Sequence, residues 1–118
     1  MGTPECGKLF LEALVDTEGC FDHTALQNLR NIRASPGRIE ATMTVDNSVR
    51  NRYETLHGGC TATLVDTVGS AALVTVSQKS GVSLNISVTY LSAMPAGEDV
   101  EVDARVVRVC CCHDPSLP

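Results

Sequence analysis

One long apolar segment constrains the fold more than any other feature of the chain. Residues 56–78 are apolar on nearly every side of a helical projection, and the segment is rich in Gly, Ala and Ser. A helix that is hydrophobic all round is buried all round. We therefore predict a central helix from Leu56 to about Gln78 that ends at Ser80 and Gly81 and is covered by the rest of the domain.

Three other segments alternate apolar and polar residues, which is typical of half-buried strands. These segments are Arg38–Val45, Val82–Leu91 and Val100–Val109. Strands that are separated in sequence from one central helix indicate an antiparallel sheet curled around that helix. The pattern predicts an α+β fold, although three strands are fewer than the roughly 4–6 of a typical sheet.

Two short helices are predicted before the first strand. The segment Lys8–Val15 carries apolar residues on one face, and Asp22 is placed to cap a second helix that runs to about Ile32. The sequence Ser35-Pro36-Gly37 then marks a clean break. The last residues, 110–118, show no periodicity.

The composition fits one soluble domain of 118 residues and limits its partners. The formal net charge of −5 argues against a nucleic-acid groove, which needs a basic stripe. No apolar run approaches the roughly 20 residues that cross a bilayer, and the N-terminus has no basic region followed by an apolar stretch. We expect a cytoplasmic protein, with a mitochondrial location as the alternative.

The six cysteines indicate reduced thiols rather than a disulfide framework, because Cys110, Cys111 and Cys112 are adjacent. Together with His113 they have the composition of a metal cluster, but adjacent residues do not converge on one tetrahedral centre without strain. We expect exposed tail thiols, no metal site and no cofactor. Cys60 is interpreted as a small core residue.

The residues around the start of the predicted helix carry the chemistry. Asn51, His57, Gly58 and Gly59 precede or open the helix, and Asp66 lies two turns inside it. A helix start offers unpaired N–H groups that hold an anion or polarise a carbonyl oxygen. Taken alone, Asp66 is explained by a buried hydroxyl partner, but within this motif we interpret it as functional.

This motif and the order of the elements resemble the hotdog-fold acyl-coenzyme A thioesterases, in particular the branch of thioesterase superfamily member 2 and the phenylacetate-type enzymes. The resemblance covers residues 21–109 of one domain spanning 1–118, with 110–118 as a divergent tail. The matching pieces are Ser35–Arg38, Asn51–Gly59, Ala62–Asp66, Gly81-Val82-Ser83, Val88–Ser92 and Gly97-Glu98-Asp99.

The resemblance implies hydrolysis of acyl-coenzyme A thioesters to free acid and coenzyme A. It implies that the Gly58 N–H polarises the carbonyl and that Asp66 acts as general base or nucleophile. Asn51 and His57 would hold the thioester or the water, and Ser83 would orient the water. From the residues alone, His57 is equally consistent with a helix cap, Asn51 with a left-handed loop residue and Ser83 with a polar strand face.

The resemblance also implies a site between two subunits of a homodimer or a dimer of dimers, with Asp66 supplied to the motif of the partner. Charge alone favours Arg50, Arg52 and Lys79 as ligands of the coenzyme A phosphates, with Gly59 beside the substrate. Neither a nucleic acid nor a membrane span is expected among the partners.

The family continues with two more long strands, whereas here Val109 is followed by the divergent tail. We therefore expect a hotdog fold that lacks its last two strands. A second hypothesis follows, in which the chain is a catalytically impaired, truncated subunit that pairs with a full-length thioesterase through an open strand edge. A third hypothesis, a hotdog dehydratase, fits the spacing of Asn51, His57 and Asp66 less well.

Overall fold

Three helices and three strands form the part of the chain that the computed structural model describes, residues 2–77 and 81–110. In chain order they are α1 (Pro4–Asp16), α2 (Phe21–Leu26), β1 (Leu29–Ser35), β2 (Arg38–Thr44), α3 (Gly58–Val74) and β3 (Asp99–Arg105). The α+β class predicted from the sequence is confirmed.

The strands form one antiparallel sheet in the order β1-β2-β3. β1 and β2 are joined by a hairpin turn in which Gly37 has φ 75°, a conformation that glycine adopts without steric cost. β2 pairs with β3 in one unbroken register along the full length of both strands. The predicted break at Ser35-Pro36-Gly37 is confirmed, and the predicted strand Arg38–Val45 is correct to within one residue.

The core lies between this sheet and α3. Ile39, Ala41 and Met43 alternate along β2, and none of them is more than 1% exposed. They belong to one buried cluster with Leu64 and Val68 of α3. The alternation in the sequence therefore identified the buried face of β2 correctly, because side chains of successive strand residues point to opposite faces.

α3 is shorter than the predicted helix and is buried on only part of its surface. It begins at Gly58 rather than Leu56, its C-cap is Thr75, and Gln78 lies outside the described residues. Val65 is 44% exposed, so the prediction of a helix buried on every side is wrong. α1, α2, β2 and β3 contact α3 and leave the side that carries Val65 open.

α1 approaches the end of α3 closely at Gly7. A Cβ atom at Gly7 would lie 2.4 Å from Thr75 Cγ2 and 2.7 Å from the carbonyl oxygen of Ala71, so the backbones meet without room for a side chain. The Thr3 hydroxyl caps α1 by accepting a backbone N–H of the first turn at 3.2 Å. The predicted helix Lys8–Val15 is confirmed, although the helix starts about one turn earlier.

The prediction of one helix from Asp22 to Ile32 is wrong in its second half. α2 ends at Leu26, and Leu29–Ser35 is the strand β1. The ladder between β1 and β2 is irregular around Asn31, which has φ 54°. This bulge places two inward-facing residues three positions apart and thereby imitates the spacing of a helix.

The segment Val82–Leu91, predicted as a strand, has no strand partner among the described residues, so this prediction is wrong. Its backbone makes no hydrogen bond within residues 2–77 and 81–110. Several of its apolar side chains are exposed, including Leu84 at 99% and Leu91 at 90%. Alternation shows which face of a segment is apolar, but a strand forms only when a neighbour pairs with its N–H and C=O groups.

The prediction of a strand at Val100–Val109 is correct in its first half. β3 ends at Arg105, and the N–H of Val106 donates to the carbonyl oxygen of Gly37 at 2.8 Å. Within the described residues β3 has β2 as a neighbour on one side only. On the outer surface of the sheet, the exposed Asp103 of β3 pairs with the side chains of Arg38 and Arg105.

Candidate active site

The start of α3 is shaped by His57. This residue is the N-cap, with φ −63° and ψ 131°, and its Nδ1 accepts the N–H of Gly59 at 2.8 Å. The capping interpretation of His57 is therefore confirmed. The ring is exposed, and Gly58 follows as the first helical residue, whose N–H has no acceptor among the described residues. A free N–H at a helix start is suited to an anionic or carbonyl oxygen.

Asn51 organises the loop that leads into this helix start. Its Oδ1 accepts the N–H groups of Tyr53 at 2.9 Å and Thr55 at 3.2 Å, and its Nδ2 donates to the Thr55 hydroxyl at 2.8 Å. The side chain thus acts within its own loop, as Asn commonly does in turns. The left-handed residue of this loop is Glu54, with φ 63°, so the interpretation of Asn51 as a left-handed residue is wrong.

Asp66 lies in the middle of α3 and is paired with Ser83. The Ser83 hydroxyl donates to Asp66 Oδ1 at 2.5 Å, so the two residues singled out in the sequence do meet. They line an open cleft of about 340 Å³ between α3 and residues 81–87. Asp66 is half-buried, and a carboxylate held by a hydroxyl at the wall of a cleft is available to a small molecule.

Asp66 and the helix start do not meet within one copy of the chain. Eight residues separate Gly58 from Asp66 along α3. At 1.5 Å per residue this corresponds to about 12 Å along the helix axis. A general base must lie within hydrogen-bond reach of the water that it activates, and the carbonyl under attack must reach the helix start at the same time. Within one chain the Gly58 N–H and the Asp66 carboxylate are therefore not placed to act on the same small group.

Tyr90 is a residue of this region that the sequence analysis missed. Its hydroxyl donates to the carbonyl oxygen of Gly58 at 2.9 Å, and a Cβ atom at Gly58 would meet its ring at 3.5 Å. Tyr90 belongs to Val88–Ser92, one of the pieces that match the family, but its place on the apolar side of an alternating segment gave no sign of a polar contact. With Ser83 beside Asp66 and Tyr90 beside Gly58, residues 81–91, here called the flanking segment, run antiparallel to α3.

The basic residues proposed for the coenzyme A phosphates differ in their surroundings. Arg50 donates to Asn47 Oδ1 at 2.9 Å and to the carbonyl oxygen of Asn51 at 3.3 Å, so it also supports the loop. Arg52 is exposed, lies 4.8 Å over the ring of Tyr53 and donates to its hydroxyl at 2.6 Å. Lys79 lies outside the described residues.

Cys60 is a core residue, as predicted. It is 5% exposed, and its thiol lies 3.5 Å from the carbonyl oxygen of Ala25. Burial raises the pKa of the Cys60 thiol to about 11, with a smaller contribution from the negative charge of Asp46. The thiol is therefore protonated at neutral pH and is not a nucleophile, because the reactive form is the thiolate.

The described residues offer neither a metal cluster nor a membrane-spanning helix. Residues 2–77 and 81–110 contain no group of three or more His, Cys, Asp or Glu side chains arranged to hold a metal ion. The cluster considered at the tail lies outside the described residues, except for Cys110, which is exposed. In the same residues no helix combines the length and the apolar character of a membrane span.

Comparison with known proteins decides the family. A family model described as the thioesterase superfamily matches residues 53–109. The crystal structure of zebra fish thioesterase superfamily member 2 is 34% identical in sequence and has a TM-score of 0.82, over 94% of this chain and 80% of that chain. The chain belongs to the thioesterase superfamily. The predicted resemblance and the predicted hotdog fold are both confirmed.

Two further proteins are similar to this chain. Human acyl-coenzyme A thioesterase 13 is 38% identical over 78 residues, which are 65% of this chain and 56% of that protein. The PaaI protein from the phenylacetic acid degradation operon of E. coli is 20% identical, with a TM-score of 0.72 over 93% of this chain and 77% of that chain, and is similar in fold. The chain spans a little over half the length of the first curated relatives that it matches.

Proposed function

We propose that this chain hydrolyses acyl-coenzyme A thioesters to a free acid and coenzyme A. The observation that carries the proposal is the contact of Ser83 with Asp66 at the wall of an open cleft. The hydroxyl occupies one carboxylate oxygen, and the other oxygen is left for a water molecule. The superfamily membership and the similarity to acyl-coenzyme A thioesterase 13 support this reaction class.

In the proposed reaction Asp66 acts as the general base. It takes a proton from a water that Ser83 helps to orient, and the water oxygen attacks the thioester carbonyl carbon. The Gly58 N–H donates to the carbonyl oxygen and stabilises the negative charge that develops there. The carbon–sulfur bond then breaks, Asp66 returns the proton to the sulfur, and coenzyme A leaves as the thiol. Direct attack by the Asp66 carboxylate is the variant of this mechanism that the residues also allow.

His57 and Asn51 complete the proposed site in different ways. His57 lies next to Gly58 and exposes its ring, so it is placed to hold the thioester or the water. Asn51 contributes by fixing the loop before His57, because its side-chain hydrogen bonds all lie within that loop. Arg52 is proposed to contact the coenzyme A phosphates together with Arg50 and Lys79, and Gly59 lies beside the thioester.

A second copy of the chain is proposed to close the site. Because Gly58 and Asp66 are about 12 Å apart along one helix, a partner helix lying antiparallel would bring the Asp66 of one copy to the Gly58 of the other. The exposed apolar side chains of the flanking segment lie on the same side of α3 as this cleft. Such a surface favours association of copies. We therefore propose a homodimer or a dimer of dimers.

Release of free thiol from a panel of acyl-coenzyme A substrates tests the reaction. We expect turnover by the wild-type chain and a loss of it in Asp66→Asn, with an unchanged circular dichroism spectrum. Asp16→Asn is the matched control, since Asp16 is an exposed carboxylate at the end of α1. Equal turnover in Asp66→Asn would overturn the assignment. Thiol release from a saturated acyl group would exclude dehydration.

Co-expression of two inactive variants tests the shared site. Asp66→Asn removes the base, and Gly58→Pro removes the N–H donor. In a two-fold dimer each site takes Asp66 from one copy and Gly58 from the other, so a mixed dimer holds one intact site. Random pairing then restores about a quarter of the wild-type activity. Recovery of no activity from co-purified mixed dimers would contradict the shared site.

A second candidate function, that of a pairing subunit, is favoured by the unpaired backbone. β3 has a described neighbour on one side only, and the flanking segment makes no backbone hydrogen bond within the described residues. Open strand edges accept strands of another chain. In this alternative the chain associates with a full-length thioesterase of the superfamily and has no turnover alone. Co-purification with such a partner and absence of thiol release would support it, and active homo-oligomers would exclude it.

A further inference from the structure

One peptide unit at the start of α3 is held from both sides. The carbonyl oxygen of Gly58 accepts the Tyr90 hydroxyl at 2.9 Å, and the N–H of Gly59, which belongs to the same peptide unit, donates to Nδ1 of His57 at 2.8 Å. The two hydrogen bonds therefore form a chain from Tyr90 through one peptide to the imidazole. A donor on the carbonyl side of a peptide polarises it and strengthens its N–H as a donor, because hydrogen bonds in series are cooperative.

These two hydrogen bonds select one tautomer of the His57 ring. A ring nitrogen that accepts an N–H carries a lone pair, so the proton of the neutral imidazole is on Nε2. The ring lies close against Gly59, in space that a side chain at this position would need, because a Cβ atom there would come within 3.0 Å of Nδ1 and 3.1 Å of Cε1. His57, which is exposed and directly precedes Gly58, thus offers an Nε2–H group at the start of α3.

We propose that Tyr90 is a positioning residue of the thioester site, which holds His57 through the Gly58–Gly59 peptide as an Nε2–H donor. The inference rests on the proposed thioesterase function for its catalytic consequence. Two adjacent donors, His57 Nε2–H and Gly58 N–H, then face the substrate side of the helix start. Donors that are fixed before the reaction stabilise a developing oxyanion without reorganisation, so loss of the Tyr90 hydroxyl is expected to act on kcat rather than on KM.

The phenol ring contributes separately from its hydroxyl. It lies in ordinary contact with Gly58, at 3.5–3.7 Å from the position of a Cβ atom. Tyr90→Phe keeps this contact and removes only the hydrogen bond. Thr89→Val is the matched control, since it removes a hydroxyl from the neighbouring exposed residue, which has no hydrogen-bond partner among the described residues.

The ring ¹⁵N shifts of the histidines measure the first consequence. His23 provides an internal reference of opposite tautomer, because its Nδ1 lies 2.6 Å from the carbonyl oxygen of Val15, which only accepts, and therefore carries the proton. At a pH where both rings are neutral, we expect the proton on Nε2 of His57 in the wild-type chain and a mixture of tautomers in Tyr90→Phe. The His23 shifts are expected to stay constant and report that the variant is folded.

Thiol release measures the second consequence. Loss of one neutral hydrogen bond predicts a fall in kcat of about two- to tenfold in Tyr90→Phe, with KM unchanged and with Thr89→Val at the wild-type value. An unchanged His57 tautomer in Tyr90→Phe would overturn the inference, and so would a wild-type kcat. If the wild-type chain releases no thiol, the proposed function fails, and the ring shifts alone then decide whether Tyr90 positions His57.

Discussion

Replacement of Gly58 by proline removes one N–H group and leaves the start of α3 intact. Gly58 is the first helical residue, a position that favours proline because its N–H has no helical acceptor. His57 has φ −63° and ψ 131°, which is the conformation that a residue before proline adopts. A Cβ atom at this position meets Tyr90 at 3.5 Å, an ordinary contact. The carbonyl group that Tyr90 contacts is retained.

The expected loss of activity follows from the role of this N–H in the proposed reaction. Removal of one donor to a developing oxyanion lowers kcat by about 10²–10³, which corresponds to about 2.7–4 kcal/mol of transition-state stabilisation. The folded state is not expected to lose stability. Proline at a compatible position restricts the unfolded chain and stabilises by about 0.4–1 kcal/mol. Gly58→Pro is therefore predicted to lose activity while it keeps or gains stability.

The assay compares Gly58→Pro with Gly58→Ala in thiol release and in urea unfolding. Alanine adds the Cβ atom but keeps the N–H, so it isolates the effect of the donor from the effect of bulk near Tyr90. We expect Gly58→Ala to remain much closer to the wild-type kcat. A folded Gly58→Pro with kcat near the wild-type value would refute the assignment of Gly58 as the donor. An equal loss in both variants would attribute the effect to the contact with Tyr90.

Two further predictions concern the fold that supports the site. Gly7→Ala is expected to lower the free energy of unfolding by about 1–3 kcal/mol through overpacking, because the new methyl group would lie 2.4 Å from Thr75 Cγ2. Urea titration measures the free energy of unfolding. A stabilised variant, which helix propensity alone predicts, would contradict the expectation. Hydrogen bonds from Arg38, and then from Arg105, lower the pKa of Asp103 to about 2. This carboxylate stabilises the fold above its unfolded pKa of about 4, and the contribution is lost as the pH falls through about 2. Asp103→Asn should therefore be less stable than wild type at pH 7 and equal to it below pH 2, and an equal difference at both pH values would contradict this.

The parts of the fold that were predictable are those where burial and local pattern agree. β2 alternates strictly, and its buried face was read directly from the sequence. β1 was hidden because its bulge around Asn31 breaks the alternation, and its pairing with β2 is a tertiary contact that no local pattern shows. The flanking segment has the alternation of a strand, but no described strand pairs with its backbone N–H and C=O groups. The strand prediction failed because alternation does not show whether such a neighbour exists.

The site divides in a similar way between what the sequence indicates and what only the structure supplies. The sequence left a helix cap and a role in the site equally open for His57, and the structure shows the cap. Taken alone, Asp66 was explained by a buried hydroxyl partner; the structure supplies a hydroxyl partner in Ser83, which is exposed. No sequence pattern links Tyr90 to Gly58, since a contact between residues that far apart depends on how the flanking segment lies against α3. Asn commonly bonds within its own turn, so residue type indicated a loop role for Asn51, whereas its particular partners, Tyr53 and Thr55, depend on the geometry of the loop.

The flanking segment connects both halves of the proposed site. Its Ser83 contacts Asp66 in the middle of α3, and its Tyr90 contacts Gly58 at the start of the same helix. If two antiparallel copies close the site, each site receives Ser83 with Asp66 from one copy and Tyr90 with Gly58 from the other. One segment then serves two sites, so a displacement of the segment in either copy would alter both. Association of the copies and the geometry of catalysis would therefore both depend on where this one segment lies, through Ser83 and Tyr90.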